Sequence, residues 1–153
     1  MSAAGWAAAP LSAEAVTATR NALAAEYAAA YGYGVVGAHS YGATRVQATR
    51  ALVWHQAQQP LLRTALAGVG AGVPAAAPAY ELPFAVTDPA SAARLATALE
   101  QGVAAAYADL VAASSSGDRQ VAALALGQCA VRATQWRGFS VPFPGLPERA
   151  VTP

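Results

Sequence analysis

The feature that most restricts how this chain can fold is a stretch of about 18 residues, Gly70 to Thr87, with no helical periodicity, set between two strongly periodic runs. It carries Pro74, Pro78 and Pro83. Unstructured connections of that length are uncommon inside compact domains. Fully extended, it reaches roughly 55–60 Å, whereas a helix of about 25 residues is about 37 Å long. It can therefore travel the whole length of the helices it joins. Tyr80, Leu82, Phe84 and Val86 alternate with other residues, so one side of the segment is expected to pack on those helices.

The flanking runs read as four helices. Helix 1 starts at Ser12, an N-cap residue with Glu14 in the first turn, and continues to about His39. Its stripe is Val16, Leu23, Glu26, Ala30, Tyr33 and Gly37. Helix 2 covers about Ala43 to Val69, with Leu52, His55, Gln59, Leu62, Leu66 and Val69 in strict three-four alternation. Pro60 lies inside it and is expected to remove one backbone bond and kink the helix near Gln56. Helix 3 opens on Asp88 and Pro89, an N-cap followed by a favoured first helical residue, and runs through Leu95, Leu99, Val103, Ala106 and Leu110 to about Ala113. After a turn at Ser114 to Gly117, Asp118 or Ser116 caps helix 4, whose expected stripe is Val121, Leu124, Gln128, Val131 and Gln135, ending near Gly138.

These elements predict an all-α fold. Residues 12–138 form an antiparallel four-helix bundle with one long crossover, residues 70–87, between helices 2 and 3. That is the topology of ferritin-like bundles. Residues 1–11 are expected to be a flexible leader. Residues 139–153, with Pro142, Pro144 and Pro147, are expected to be an extended tail anchored by Phe139, Val141, Phe143 and Leu146.

Composition narrows the function classes. Hydrophobic residues make up 56% of the chain and charged residues 11%, and much of the apolar share is alanine, which favours close-packed helices. No apolar run reaches the roughly 18–20 residues a membrane span needs. Met1 to Pro10 contains no Lys or Arg, so a secretory signal is not expected and a cytoplasmic location is. The single cysteine, Cys129, agrees with a reducing compartment. A net charge of +1 argues against nucleic-acid binding.

Glu26, His55 and Glu100 are the most informative residues. Each lies near the middle of one of helices 1, 2 and 3, on or beside the apolar stripe. A buried carboxylate is costly unless it is paired or bound to metal. Di-iron bundles take one Glu from each of two helices and a Glu-x-x-His pair from each of the other two. Here Leu52 stands three before His55, and helix 4 offers Gln128, Arg132 and Gln135 instead of Glu or His. Three candidate ligands remain where six are expected. The favoured reading is a buried polar network of Glu26, His55, Gln59, Glu100, Gln128 and Arg132, with Arg132 or Arg50 neutralising a glutamate. The rival is one divalent metal, iron, manganese or zinc, on Glu26, His55 and Glu100.

Other motifs carry less. Gly32-Tyr33-Gly34-Val35-Val36-Gly37 has the spacing of a dinucleotide-binding turn but sits inside a helix-forming stretch with no preceding strand. The glycines more simply allow a neighbouring backbone to approach. Cys129 reads as inert packing, His39 as a helix C-terminal residue, and Trp54 and Trp136 as core or bundle-edge residues.

Three stretches resemble a ferritin-like family of unknown function common in high-GC Gram-positive bacteria. They are Ala24 to Gly34 (AAEYAAAYGYG), Tyr80 to Pro89 (YELPFAVTDP) and Phe143 to Glu148 (FPGLPE). The resemblance implies a ferritin-like bundle and carries no activity. The family pattern has Glu-His where this chain has Glu26-Tyr27, and an Arg-rich run where this chain has Gln56, Ala57, Gln58, Gln59 and Pro60.

The sequence thus points to a ferritin-like protein that binds and does not catalyse, lacks a complete di-iron site and needs no cofactor. Expected partners are a second copy, another protein or a small ligand between helices. A metal-binding protein or metalloenzyme using Glu26, His55 and Glu100 is the alternative, and a structural accessory subunit is a third reading.

Overall fold

The computed structural model describes residues 10–146. The expected leader lies outside them apart from Pro10 and Leu11, as do residues 147–153 of the expected tail. Among the described residues there are four helices and no strand: α1 (Ala13–Ala38), α2 (Gly42–Gly68), α3 (Pro89–Ala113) and α4 (Ser116–Arg137). None of them is long and apolar enough to cross a membrane.

Local chemistry sets the helix ends. The Ser12 hydroxyl accepts the Ala15 N–H at 3.1 Å, which satisfies one of the free donors of the first turn of α1. Asp88 and Ser91 form a reciprocal capping box at the start of α3, with Pro89 at the first helical position. At α4 the N-cap is Ser115 and makes no side-chain cap bond; Asp118 lies one turn inside, so the cap expected at Ser116 or Asp118 falls one residue earlier at the nearest. Gly138 closes α4 with φ 90°, a left-handed conformation that glycine adopts without penalty. α2 continues through Pro60, which lies within its helical span.

The long connection after α2 runs along the helices and is tied to α1. Arg20 Nε donates to the Gly72 carbonyl at 2.9 Å and the Tyr27 hydroxyl to that of Pro74 at 3.2 Å. Tyr80 packs against Tyr31, and Leu82 and Val86 join the apolar interior.

α1 packs on α2 and on α3, and α3 packs on α4. Two apolar clusters fill the interior. One centres on Leu23, Leu62, Leu66, Val103, Tyr107 and Leu110, the other on Tyr33, Val36, Ala51, Leu95 and Ala96. Fully burying each such Leu or Val contributes roughly 1.5–3 kcal/mol. On α2 and α3, His55 and Glu100 fall between the residues of the two clusters, and on α1 Glu26 lies among those of the first. Of the glycines at 32, 34 and 37, only Gly32 serves close approach: a Cβ there would lie 2.6 Å from Leu99 Cδ1.

The expected face of α4 needs correcting. Besides Asp118 in the first turn, its buried residues are Ala122, Ala125, Cys129 and Ala133, whereas Leu124 is 60% and Val131 53% exposed, and Gln128 is exposed. The reason lies on α3, which presents Val103, Tyr107 and Leu110 to the interior. Side chains of that size leave room for small partners, so α4 turns its Ala and Cys stripe inward. Hydrophobic periodicity weights Leu and Val above Ala and therefore picks the wrong face.

Residues 139–146 lie over α3 and α4, with Val141 and Leu146 half-buried; Phe139 and Phe143, expected as anchors, are 62% and 45% exposed. Gly145 has φ 78°, and a Cβ on it would sit 2.6 Å from the Ala104 carbonyl oxygen, which belongs to α3 and cannot yield. Gly145→Ala is therefore expected to cost about 1–2 kcal/mol and release this segment. Limited proteolysis should then cut near Phe139–Phe143 much faster than in the wild type. Equal cutting rates would mean the segment is not held at Gly145.

Candidate functional site

The buried polar cluster is built by reciprocal pairing between α1 and α3. Each helix carries a glutamate and, seven residues on, a tyrosine: Glu26 and Tyr33 on α1, Glu100 and Tyr107 on α3. Seven residues are close to two turns, so each pair lies on one face. The pairs cross. The Tyr33 hydroxyl donates to Glu100 Oε1 at 2.6 Å, and the Tyr107 hydroxyl donates to Glu26 Oε1 at 2.7 Å.

His55 of α2 lies between the two carboxylates. Its Nδ1 is 2.6 Å from Glu26 Oε2 and its Nε2 is 3.1 Å from Glu100 Oε1. All three side chains are fully buried. A carboxylate only accepts, so two carboxylate partners call for protons on both ring nitrogens. Burial, the strongest single influence on His55, pushes its pKa down; the hydrogen bonds to Glu100 and Glu26 and the charges of both outweigh it, and the net shift is upward. Burial likewise pushes Glu100 up, but His55 and Arg132 bring it below the usual carboxylate value. Burial, reinforced by the neighbouring carboxylate, raises the Tyr33 and Tyr107 pKa values far above the ordinary phenol range, so both remain hydrogen-bond donors.

α4 completes the cluster through Arg132, whose Nε donates to Glu100 Oε1 at 2.8 Å. Its guanidinium stacks over the Trp54 ring at 3.7 Å. Trp54 in turn meets the His55 ring edge-on at 5.0 Å, and Tyr33 stacks on His55 at 5.3 Å. The imidazole is thereby fixed by two rings and two carboxylates. Glu100 Oε1 accepts three bonds, while Glu100 Oε2 is buried without a hydrogen-bond partner.

The structure brings Glu26, His55, Glu100 and Arg132 together. Gln59 touches the cluster only through the Glu26 backbone, its Nε2 donating to that carbonyl at 3.4 Å. Gln128, expected in the network, is exposed because α4 is turned by one position, and Cys129 occupies the inward place. Arg50, named as a counter-ion, is exposed and bonds neither glutamate. Tyr33, Tyr107 and Trp54 belong to the cluster without having been singled out for it. The repeated Glu-x6-Tyr spacing was the available signal for the tyrosines. Cys129 is fully buried, and burial, and after it the charge of Glu100, pushes its thiol well above the ordinary range, which disfavours the thiolate.

The arrangement balances charge. His55 and Arg132 face Glu26 and Glu100, Tyr107 satisfies Glu26 Oε1, and Tyr33 adds a third bond to Glu100 Oε1. Chemically it holds protons in fixed places. A divalent metal would need imidazole and carboxylate lone pairs that are already engaged: both His55 nitrogens and both Glu26 oxygens have partners, which leaves Glu100 Oε2. Among the described residues no group of three or more His, Cys, Asp or Glu side chains is disposed to hold a metal ion.

Comparison with known proteins gives a family and a structural relative. A solved structure described as a conserved hypothetical protein, rv2844, from Mycobacterium tuberculosis matches with a TM-score of 0.79 and 36% sequence identity, over 83% of this chain and 98% of that one. No curated protein matches the sequence. The model of a domain of unknown function (DUF4439) matches residues 18–148, most of the chain, from within α1 to beyond α4, and the chain therefore belongs to the DUF4439 family.

Proposed function

We propose that this chain is a cytoplasmic, ferritin-like antiparallel bundle that works by binding and without redox turnover, its centre taken up by a charge relay in place of a di-iron site. The observation that carries the reading is the engagement of both His55 nitrogens by carboxylates. A protonated imidazole has no lone pair for a metal. The crossed Glu–Tyr pairs support antiparallel α1 and α3, because the later residue of one helix meets the earlier residue of the other. The relay's role is to fix the register of the four helices, since any slip would strand a buried charge.

Binding then falls to the surface. α2 and α4 are not packed as a pair as the other neighbouring helices are. Their outer flanks leave Val46, Val53, Leu124 and Val131 exposed. A second copy, another protein or a small ligand would sit there.

Elemental analysis of protein purified without chelator tests the reading. The expected result is less than about a tenth of an equivalent of iron, manganese or zinc per chain, unchanged in Glu26→Ala. The unpartnered Glu100 Oε2 favours the second reading, a metal on Glu26, His55 and Glu100. About one equivalent or more, lost in Glu26→Ala, would establish that reading and retire the first.

A further inference from the structure

A groove of about 800 Å³ lies between α2 and α4, lined by Val46, Gln47, Arg50 and Trp54 from one side and Arg132 and Gln135 from the other. The stripe misassigned to the core runs along the same edge: Gln135 follows Leu124, Gln128 and Val131 at helical spacing. The groove therefore joins polar donors to an apolar margin.

Its charge is one-sided. α2 has no acidic residue at all, and the single acid of α4, Asp118, is buried near the far end of that helix from Arg132. Among the described residues, every arginine except Arg50 makes a hydrogen bond, an ion pair or a ring contact. Arg50 makes none. Arg132 is neutralised within the relay through Nε, and its Nη2 reaches Cys129 Sγ at 3.4 Å, but Nη1 has no partner among the described residues. The buried cluster sums to zero charge. Arg50 thus leaves the groove with one unmatched positive charge, and Gln47 and Gln135 supply neutral donors.

We propose that this groove binds a small monoanionic carboxylate with an apolar body. The head group is matched by the planar fork of Arg50 and by Arg132 Nη1, and the body lies along Val46 and the exposed edge of α4. One unmatched charge fits a monoanion better than a phosphate dianion, and a guanidinium fork fits a carboxylate bidentately. Ala51 also lines the groove, and of the charged members of the buried cluster Arg132 alone reaches it.

The proposal deepens the reading of the chain as a binding module, and the two can fail separately: metal content decides the relay, ligand affinity decides the groove. The test is calorimetric titration of the full chain with octanoate, with 1-octanol as the same body lacking the charge, and with inorganic phosphate. Octanoate should bind one-to-one, 1-octanol at least about tenfold more weakly, and Arg50→Gln should weaken octanoate about tenfold or more, in line with loss of a charge-assisted bond. Arg50 is exposed and outside the relay, so the variant should keep the wild-type unfolding midpoint. Equal affinity for octanoate and 1-octanol, or for octanoate in wild type and Arg50→Gln, would overturn the proposal. So would effective displacement of octanoate by phosphate, or absence of octanoate binding, whether or not the protein self-associates through Leu124 and Val131.

Discussion

His55→Gln should destabilise the fold by about 3–5 kcal/mol at pH 7, the range for leaving a buried charge uncompensated. Glutamine keeps a polar side chain of similar reach, so the loss is chiefly one of charge. Without the imidazolium, Glu26 and Glu100 stand fully buried against a single cation, Arg132. Glu26→Gln alone should also destabilise, for the opposite reason: His55 and Arg132 then face one carboxylate. The double variant restores the balance. Its cost should therefore fall well below the sum of the singles, with a coupling of about 1–3 kcal/mol. Urea unfolding followed by helical circular dichroism measures all four corners of the cycle. Additive losses would mean that His55 and Glu26 do not act as a charge pair, and the relay would lose its claim to set helix register.

Much of this fold was written in the sequence in ways that elementary chemistry can read. Ser12 and the Asp88-Pro89 pair mark helix starts because their side chains and φ preferences suit those positions, and the proline-bearing stretch after α2 cannot continue a helix. Glu26, His55 and Arg132 could be placed at the centre because burying a charge demands partners. Three things were not legible. The face of α4 was misread because alanine gives almost no periodic signal, although large α3 side chains require small ones opposite. Spacing suggests Gln128 for the network and charge suggests Arg50 as a counter-ion, but neither fixes the rotation of one helix against another. The crossed tyrosines need knowledge of which helix meets which, and only the packing of α1 on α3 supplies it.

Stability should peak in a window of mildly acidic pH and fall on both sides of it, for reasons that can be assigned to single groups. The His55 pKa is raised above 6.5 by its carboxylate neighbours despite burial. Below pH 6.5 folded and unfolded chains both carry the proton, and the contribution is complete. As pH rises the unfolded chain releases it first, so stability drops by up to about 1.4 kcal/mol per pH unit until the folded His55 titrates. Glu100 works in reverse. Its folded pKa lies below 4.5, so its contribution is complete above that value and is lost as pH falls through the depressed one. Tyr33 and Tyr107, raised from 10.0, add a further loss above about pH 10, where unfolded phenols ionise and folded ones do not. The net window is about pH 4.5–6.5. Urea midpoints from pH 4 to 9 should show the wild type losing its advantage over His55→Gln as pH climbs past about 6.5. An advantage that stays constant from pH 5 to 9 would mean that His55 does not hold an extra proton in the folded state. One of its ring nitrogens would then be free of a proton, and a metal ligand would again be available at the centre of the bundle.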